Sequence, residues 1–144
     1  MGNKTKPTYI VILEQYNYSW ALIKQRINLL MDNGLSYNEI AQDFGYKNKK
    51  SFDVCMKRLG YYLFEPPEKM LKRALNCKKI IKEKGGEKAL LRELKERYKR
   101  NRNIIIMAQL LGLDASILCL IIYQLDREFI KQVIVDYANI NSDY

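Results

Sequence analysis

Apolar positions recur along this chain with the period of a helix, and glycine, proline or asparagine interrupts them at intervals that leave room only for short connections. Trp20, Ile23, Ile27 and Leu30 form one stripe, with Ser19 placed to cap its start and Asn33-Gly34 to close it. Leu35 to Gly60, LSYNEIAQDFGYKNKKSFDVCMKRLG, then reads as two short helices around a glycine turn. Ser36 with Glu39 three residues on is a capping box, and Asn48 can cap the second helix. Phe52, Cys55, Met56 and Leu59 follow at i, i+3, i+4, i+7, so one face is core and the other is open. Thr8 to Leu13 is a continuous apolar run that fits a short strand or a helix start, and a helix is the preferred reading.

Glu65-Pro66-Pro67-Glu68 is the clearest break, because two prolines remove donors and hold an extended path. The expected division is therefore a module over 1–64 and a second over 68–144. The second opens with Met70, Leu71, Ala74, Leu75, Cys77, Ile80 and Ile81 under a face of lysine and arginine, ended by Gly85-Gly86. A charged helix from Glu87 to about Arg100 completes a basic hairpin. With proline and glycine scarce and no run of alternating strands, the fold class expected is all-α.

A second copy of the turn spacing lies in MAQLLGLDASILCLIIYQL, carried by Met107, Ala108, Leu111, Gly112, Leu113, Leu118 and Ile121, with Asp114 placed as a cap. Its outward positions, Asp114, Ala115, Ser116, Cys119, Leu120 and Tyr123, hold no cation and one anion. A helix this apolar must bury its outer side, so the expectation is an interface with a second copy or another protein through Ile117, Leu120, Ile121 and Tyr123. The rival is a membrane span, since Ile104 to Ile122 lacks Lys and Arg. Asp114 would then sit at the bilayer centre at a cost of ~2.5 to 3.5 kcal/mol, which disfavours it.

Charge sharpens the picture. The chain carries a net charge of +9. Residues 61 to 103 hold 14 basic and 6 acidic groups, and residues 104 to 144 hold 2 and 5. An anionic partner is expected for the first two thirds and not for the last. No histidine is present, which excludes histidine acid–base chemistry, and no Cys-x-x-Cys pair supports zinc. Cys55, Cys77 and Cys119 fall in apolar patterns and read as buried free thiols of a reducing compartment. The acidic residues are dispersed and no glycine-rich phosphate loop occurs, so neither an enzyme nor a cofactor is expected. The N-terminal MGNKTKPTYIVIL is too short in its apolar run for a signal peptide, and Lys6 breaks a myristoylation motif.

The long polar residues that could meet DNA cluster at the start of the helix after Asn48. Lys47, Asn48, Lys49, Lys50 and Ser51 occupy its N-terminal end, followed by Asp53, Val54, Lys57 and Arg58. Asn48 or Lys49 could read purine edges, Val54 could meet a thymine methyl, and Lys57 and Arg58 suit phosphates. Arg97, Lys99, Arg100 and Arg102 are candidate phosphate contacts. Tyr61 and Tyr62 could stack on bases, although core edges with wet hydroxyls are the preferred reading.

Leu35 to Tyr61, through NEIAQDFGY and SFDVCMKRLGY, resembles the helix-turn-helix of small bacterial, phage and plasmid regulators. The resemblance covers about a fifth of the chain. It implies an N-terminal trihelical helix-turn-helix module, with the later copy a degenerate relative of it. It further implies a DNA-binding regulator of a mobile element; with the apolar C-terminal module pairing subunits, the expectation is a dimeric, sequence-specific double-stranded DNA-binding protein acting on inverted repeats in the cytoplasm of a bacterial host. The alternative is a protein-binding inhibitor or adaptor, such as a phage-encoded blocker of a nucleic-acid enzyme, built on the same scaffold.

Overall fold

The computed structural model describes residues 6–141, and among them the chain forms nine helices and no strand. The N-terminal stretch considered for a targeting or lipidation signal begins in residues 1–5, outside the described residues. The helices are α1 (Thr8–Gln15), α2 (Trp20–Asp32), α3 (Tyr37–Asp43), α4 (Lys49–Arg58), α5 (Pro67–Glu83), α6 (Glu87–Arg100), α7 (Ile104–Leu111), α8 (Ala115–Leu125) and α9 (Arg127–Asn141). The ambiguous run after Pro7 is helical, with Ile10, Ile12 and Leu13 buried.

Local chemistry accounts for most helix starts. Ser19 Oγ accepts from the Leu22 amide at 3.2 Å. Ser36 and Glu39 make the reciprocal capping box, at 3.2 and 2.9 Å, and Asn48 Oδ1 accepts from the Ser51 amide at 2.9 Å. Each such cap contributes about 1 kcal/mol. Pro67 stands in the first turn of α5, where its missing N–H would lack a partner anyway. Asp114 precedes α8 as expected, but its side chain makes no capping bond.

The element missing from the sequence expectations is α9. Asp126 Oδ1 accepts from the Phe129 amide at 3.1 Å, starting a new helix immediately after α8. Its stripe of Phe129, Ile130, Val133, Ile134 and Ala138 is buried, and α9 packs on α8 more extensively than any other helix does. This corrects the expected dimer interface. Leu120 and Ile121 are 6% and 0% exposed within the single chain, so these two side chains are already covered by the chain's own helices. Of the other two interface candidates, Ile117 is half-buried and Tyr123 is tied inward. The Tyr123 hydroxyl accepts from the Trp20 amide at 3.0 Å, and its ring meets Tyr61 edge-on at 5.8 Å.

Leu118 to Ile122 are buried without interruption. At roughly 1.5 to 3 kcal/mol for each large apolar side chain, exposing this face would consume most of a domain stability of about 5 to 15 kcal/mol. Among the described residues no single helix is long and apolar enough to cross a membrane, and α7 and α8, which together have the length, bend by 99°.

Across the Pro66-Pro67 break the buried residues form one hydrophobic cluster. Gly60 lies at the joint. Its φ is +86°, and an added Cβ would stand 2.9 Å from the Leu120 backbone nitrogen. Beyond it the chain is pinned by the Tyr61 hydroxyl, which donates to the Tyr18 carbonyl at 2.8 Å, and by the Tyr62 hydroxyl, bonded to Ser116 Oγ at 2.9 Å. Glu65 is buried and receives two bonds from Arg73, at 2.8 and 2.7 Å, while the guanidinium lies 3.8 Å from the Tyr62 ring centroid.

Candidate nucleic-acid interface

Helix α4 is divided into three faces by its own sequence. The inner face, Phe52 and Met56, is fully buried. Phe52 stacks between Phe44 and Tyr46, at centroid distances of 4.9 and 5.0 Å, and meets Phe64 edge-on at 5.6 Å. Tyr46 donates to Cys55 Sγ at 3.2 Å. These aromatic contacts hold the turn after α3 and fix how α4 leaves it.

The flank of α4 carries a Lys-Asp-Lys triad at i, i+4, i+8. Asp53 is 8% exposed, and its Oδ2 lies 3.5 Å from Lys49 Nζ and 3.3 Å from Lys57 Nζ. Its Oδ1 is buried without a hydrogen bond among the described residues. Lys49 Nζ also stands 5.5 Å from the Phe64 ring centroid and 5.9 Å from that of Tyr37. Moving either lysine to a phosphate would leave an almost fully buried carboxylate short of countercharge, which is expensive. Asp53, named from the sequence as a groove residue, therefore anchors two cations from within.

The third face is open. Lys50, Ser51, Val54 and Arg58 are exposed along it, Val54 to 45%, with Lys47 exposed in the preceding turn. Among the described residues Lys47, Lys50 and Arg58 make no ion pair. The structure thus brings five of the nine expected contact residues onto one face and turns Lys49, Asp53 and Lys57 to its flank. Asn48 uses Oδ1 as a cap. The amides at the start of α4 are partly occupied too, since Lys49 donates to Asn38 Oδ1 at 2.9 Å and Ser51 to Asn48.

The second basic group is also split. Arg97 pairs with Glu93 at 2.9 Å, and Arg102, 63% exposed, lies 3.9 Å from Asp136. Lys99 and Arg100 are exposed and make no ion pair among the described residues. Tyr61 and Tyr62 are 1% and 4% exposed with hydroxyls engaged, so neither is a stacking platform.

Reactive groups are muted. Burial raises the thiols of Cys55 and Cys77 above their ordinary range and pushes Cys119 up to about 12, leaving all three protonated at neutral pH. Among the described residues no group of three His, Cys, Asp or Glu side chains is placed to hold a metal ion.

The triad was legible in its spacing, because Lys49, Asp53 and Lys57 stand four residues apart. Asn38 as a partner of the α4 terminus carried no sequence signal. No protein-family model, curated protein or solved structure matches the chain.

Proposed function

We propose that this protein binds double-stranded DNA by laying the open face of α4 in the major groove, with α3 and α4 as a helix-turn-helix and α2 as its brace. The observation that carries this reading is the set of cations that have no acidic partner among the described residues, Lys47 in the turn before α4 and Lys50 and Arg58 on its exposed face. Lys50 and Ser51 are placed near the helix start, where side chains reach base edges, and Val54 offers an apolar contact for a thymine methyl. Lys47 and Arg58 bracket them as phosphate contacts, and Lys99 and Arg100 extend the electrostatic footprint. Lys49 and Lys57 supply field from the flank and not direct readout. In this reading α8 is a buttress, and a dimer on inverted half-sites would use a surface other than Leu120 and Ile121. Regulation of a phage or plasmid element is the role that the motif resemblance implies.

Selection of genomic fragments by the purified protein, followed by anisotropy titration of the selected duplex at several salt concentrations, tests the assignment. Lys50→Ala and Arg58→Ala should each weaken binding, and each lost phosphate contact should lower the salt slope by about 0.9. Lys49→Ala should cost less than either. Failure to enrich any fragment, or unchanged affinity in the Lys50→Ala and Arg58→Ala variants, refutes it.

A further inference from the structure

Beside the open face of α4 the surface deepens into a cleft of about 490 Å³ between α4, the starts of α7 and α8, and α9. The volume lies within the roughly 300 to 1,000 Å³ typical of small-molecule sites. Its walls are apolar: Leu59, Ile104, Cys119, Val133 and Ile134 line it. Val54 and Arg58 form the α4 rim, and Asp114 and Ala115 lie at the start of α8.

Of the polar groups on this cleft, Tyr137 on α9 has an interaction of its own, and the others differ in what they still need. The hydroxyls of Tyr62 and Ser116 bond to each other. Lys57 is held by Asp53 at 3.3 Å. Asp114 sits at the N-terminus of α8, where the helix dipole offsets its charge. Arg58 has no acidic partner among the described residues. An apolar chamber whose α4 side carries a guanidinium without an acidic partner among the described residues matches an apolar molecule carrying one anionic group, and Asp114 opposes a second anion.

We propose that the cleft is a binding site for a small amphipathic monoanion, a fatty-acid-like or aromatic carboxylate or sulfonate, with its body against Val54, Ile105 and Ala115 and its anion on Arg58. Because Val54 and Arg58 belong to both surfaces, an occupied cleft lowers affinity for a duplex. That coupling rests on the DNA reading, whereas the site itself does not.

The test uses the full chain without DNA and two dyes of matched apolar body, anilinonaphthalene sulfonate and the neutral phenylnaphthylamine. Both should bind saturably at one site per chain. Arg58→Ala should weaken the sulfonate about tenfold, the scale of one charge-assisted hydrogen bond, and change the neutral dye less than twofold. Ala115→Trp, which fills the rim from α8, should abolish both. Decanoate should displace the sulfonate dye from the unmodified protein and decyltrimethylammonium should not, an arm that needs no variant to fold. Dye binding that does not saturate, that survives Ala115→Trp, that falls equally for both dyes in Arg58→Ala, or that yields equally to either decyl competitor overturns the proposal. With the site established, addition of decanoate to the duplex titration tests the coupling separately.

Discussion

The pair α3 and α4 and the pair α7 and α8 start from one pattern and reach opposite surroundings. Each has a short helix, a turn through a glycine with positive φ, +92° at Gly45 and +68° at Gly112, and a longer second helix. The second helix of the first pair exposes Lys50, Ser51, Val54 and Arg58. That of the second pair buries everything from Leu118 to Ile122. What differs is the chain that follows. After α4, Gly60 to Leu63 dive into the core and leave the outer face of α4 uncovered, whereas after α8, Asp126 restarts a helix at once and α9 folds back as a lid. The turn residues set the bend, and the next segment decides what the bend presents.

The strongest way to break this comparison is at Gly60, where the first pair is joined to α8. Gly60→Ala places a Cβ 2.9 Å from the Leu120 nitrogen at a φ of +86°. The left-handed backbone costs about 1 to 2 kcal/mol and the forced shift of α8 about 1 to 3 more, a loss readable by urea denaturation. Gly112→Ala, whose Cβ would meet nothing within 4 Å, should lose only the backbone part. Equal losses would show that the chain at Gly60 and α8 are not in close backbone contact.

The next effect compares the two second helices directly. Ile121→Ala should cost about 2 to 5 kcal/mol, the range for a buried isoleucine, while Val54→Ala should stay within about 0.5 kcal/mol. A Val54→Ala loss of the size found for Ile121→Ala would mean that the outer face of α4 is covered.

A smaller and pH-dependent effect resides in the segment between the two pairs. The bonds from Arg73 hold the Glu65 carboxyl below its ordinary range. A carboxylate with a lowered folded-state pKa contributes stability that is present above its unfolded value, near 4.3, and is lost as pH falls through the folded value. Arg73→Ala should therefore destabilise at neutral pH by about 2 kcal/mol, less than the 3 to 5 typical of a fully buried pair because Arg73 is partly exposed, and should flatten the acid limb of the stability profile. A parallel downward shift at every pH would show that the Tyr62 contact, and not the carboxylate, carries the effect.

The sequence exposed the parts of this fold that are local. Ser19, Ser36 with Glu39 and Asn48 announce helix starts through bonds that span three residues, Pro67 stands in a first turn that needs no N–H from it, and α2 runs from Trp20 to Asp32 as its stripe implies. The stripe of α9 is equally periodic, but no local signal folds it back on α8, so from sequence alone the greasy side of α8 reads as an interface with a second copy. Of the candidate site, the open row on α4 follows from helical spacing. The flank has the same legible spacing, Lys49, Asp53 and Lys57 at i, i+4, i+8, but only the burial of Asp53 turns the two lysines toward it. Pairings such as Lys95 with Asp126 and Arg102 with Asp136 join segments that lie far apart in sequence, and no local pattern encodes them.

Lysine acetylation of the full chain, mapped by mass spectrometry with and without the selected duplex, tests the central claim most directly. Lys47 and Lys50 should react readily in the unbound protein and become protected in the complex, while Lys49, half-buried against Asp53 and Phe64, should react slowly in both. A complex that forms while Lys47 and Lys50 stay fully reactive would contradict the assignment of α4 as the DNA-reading surface.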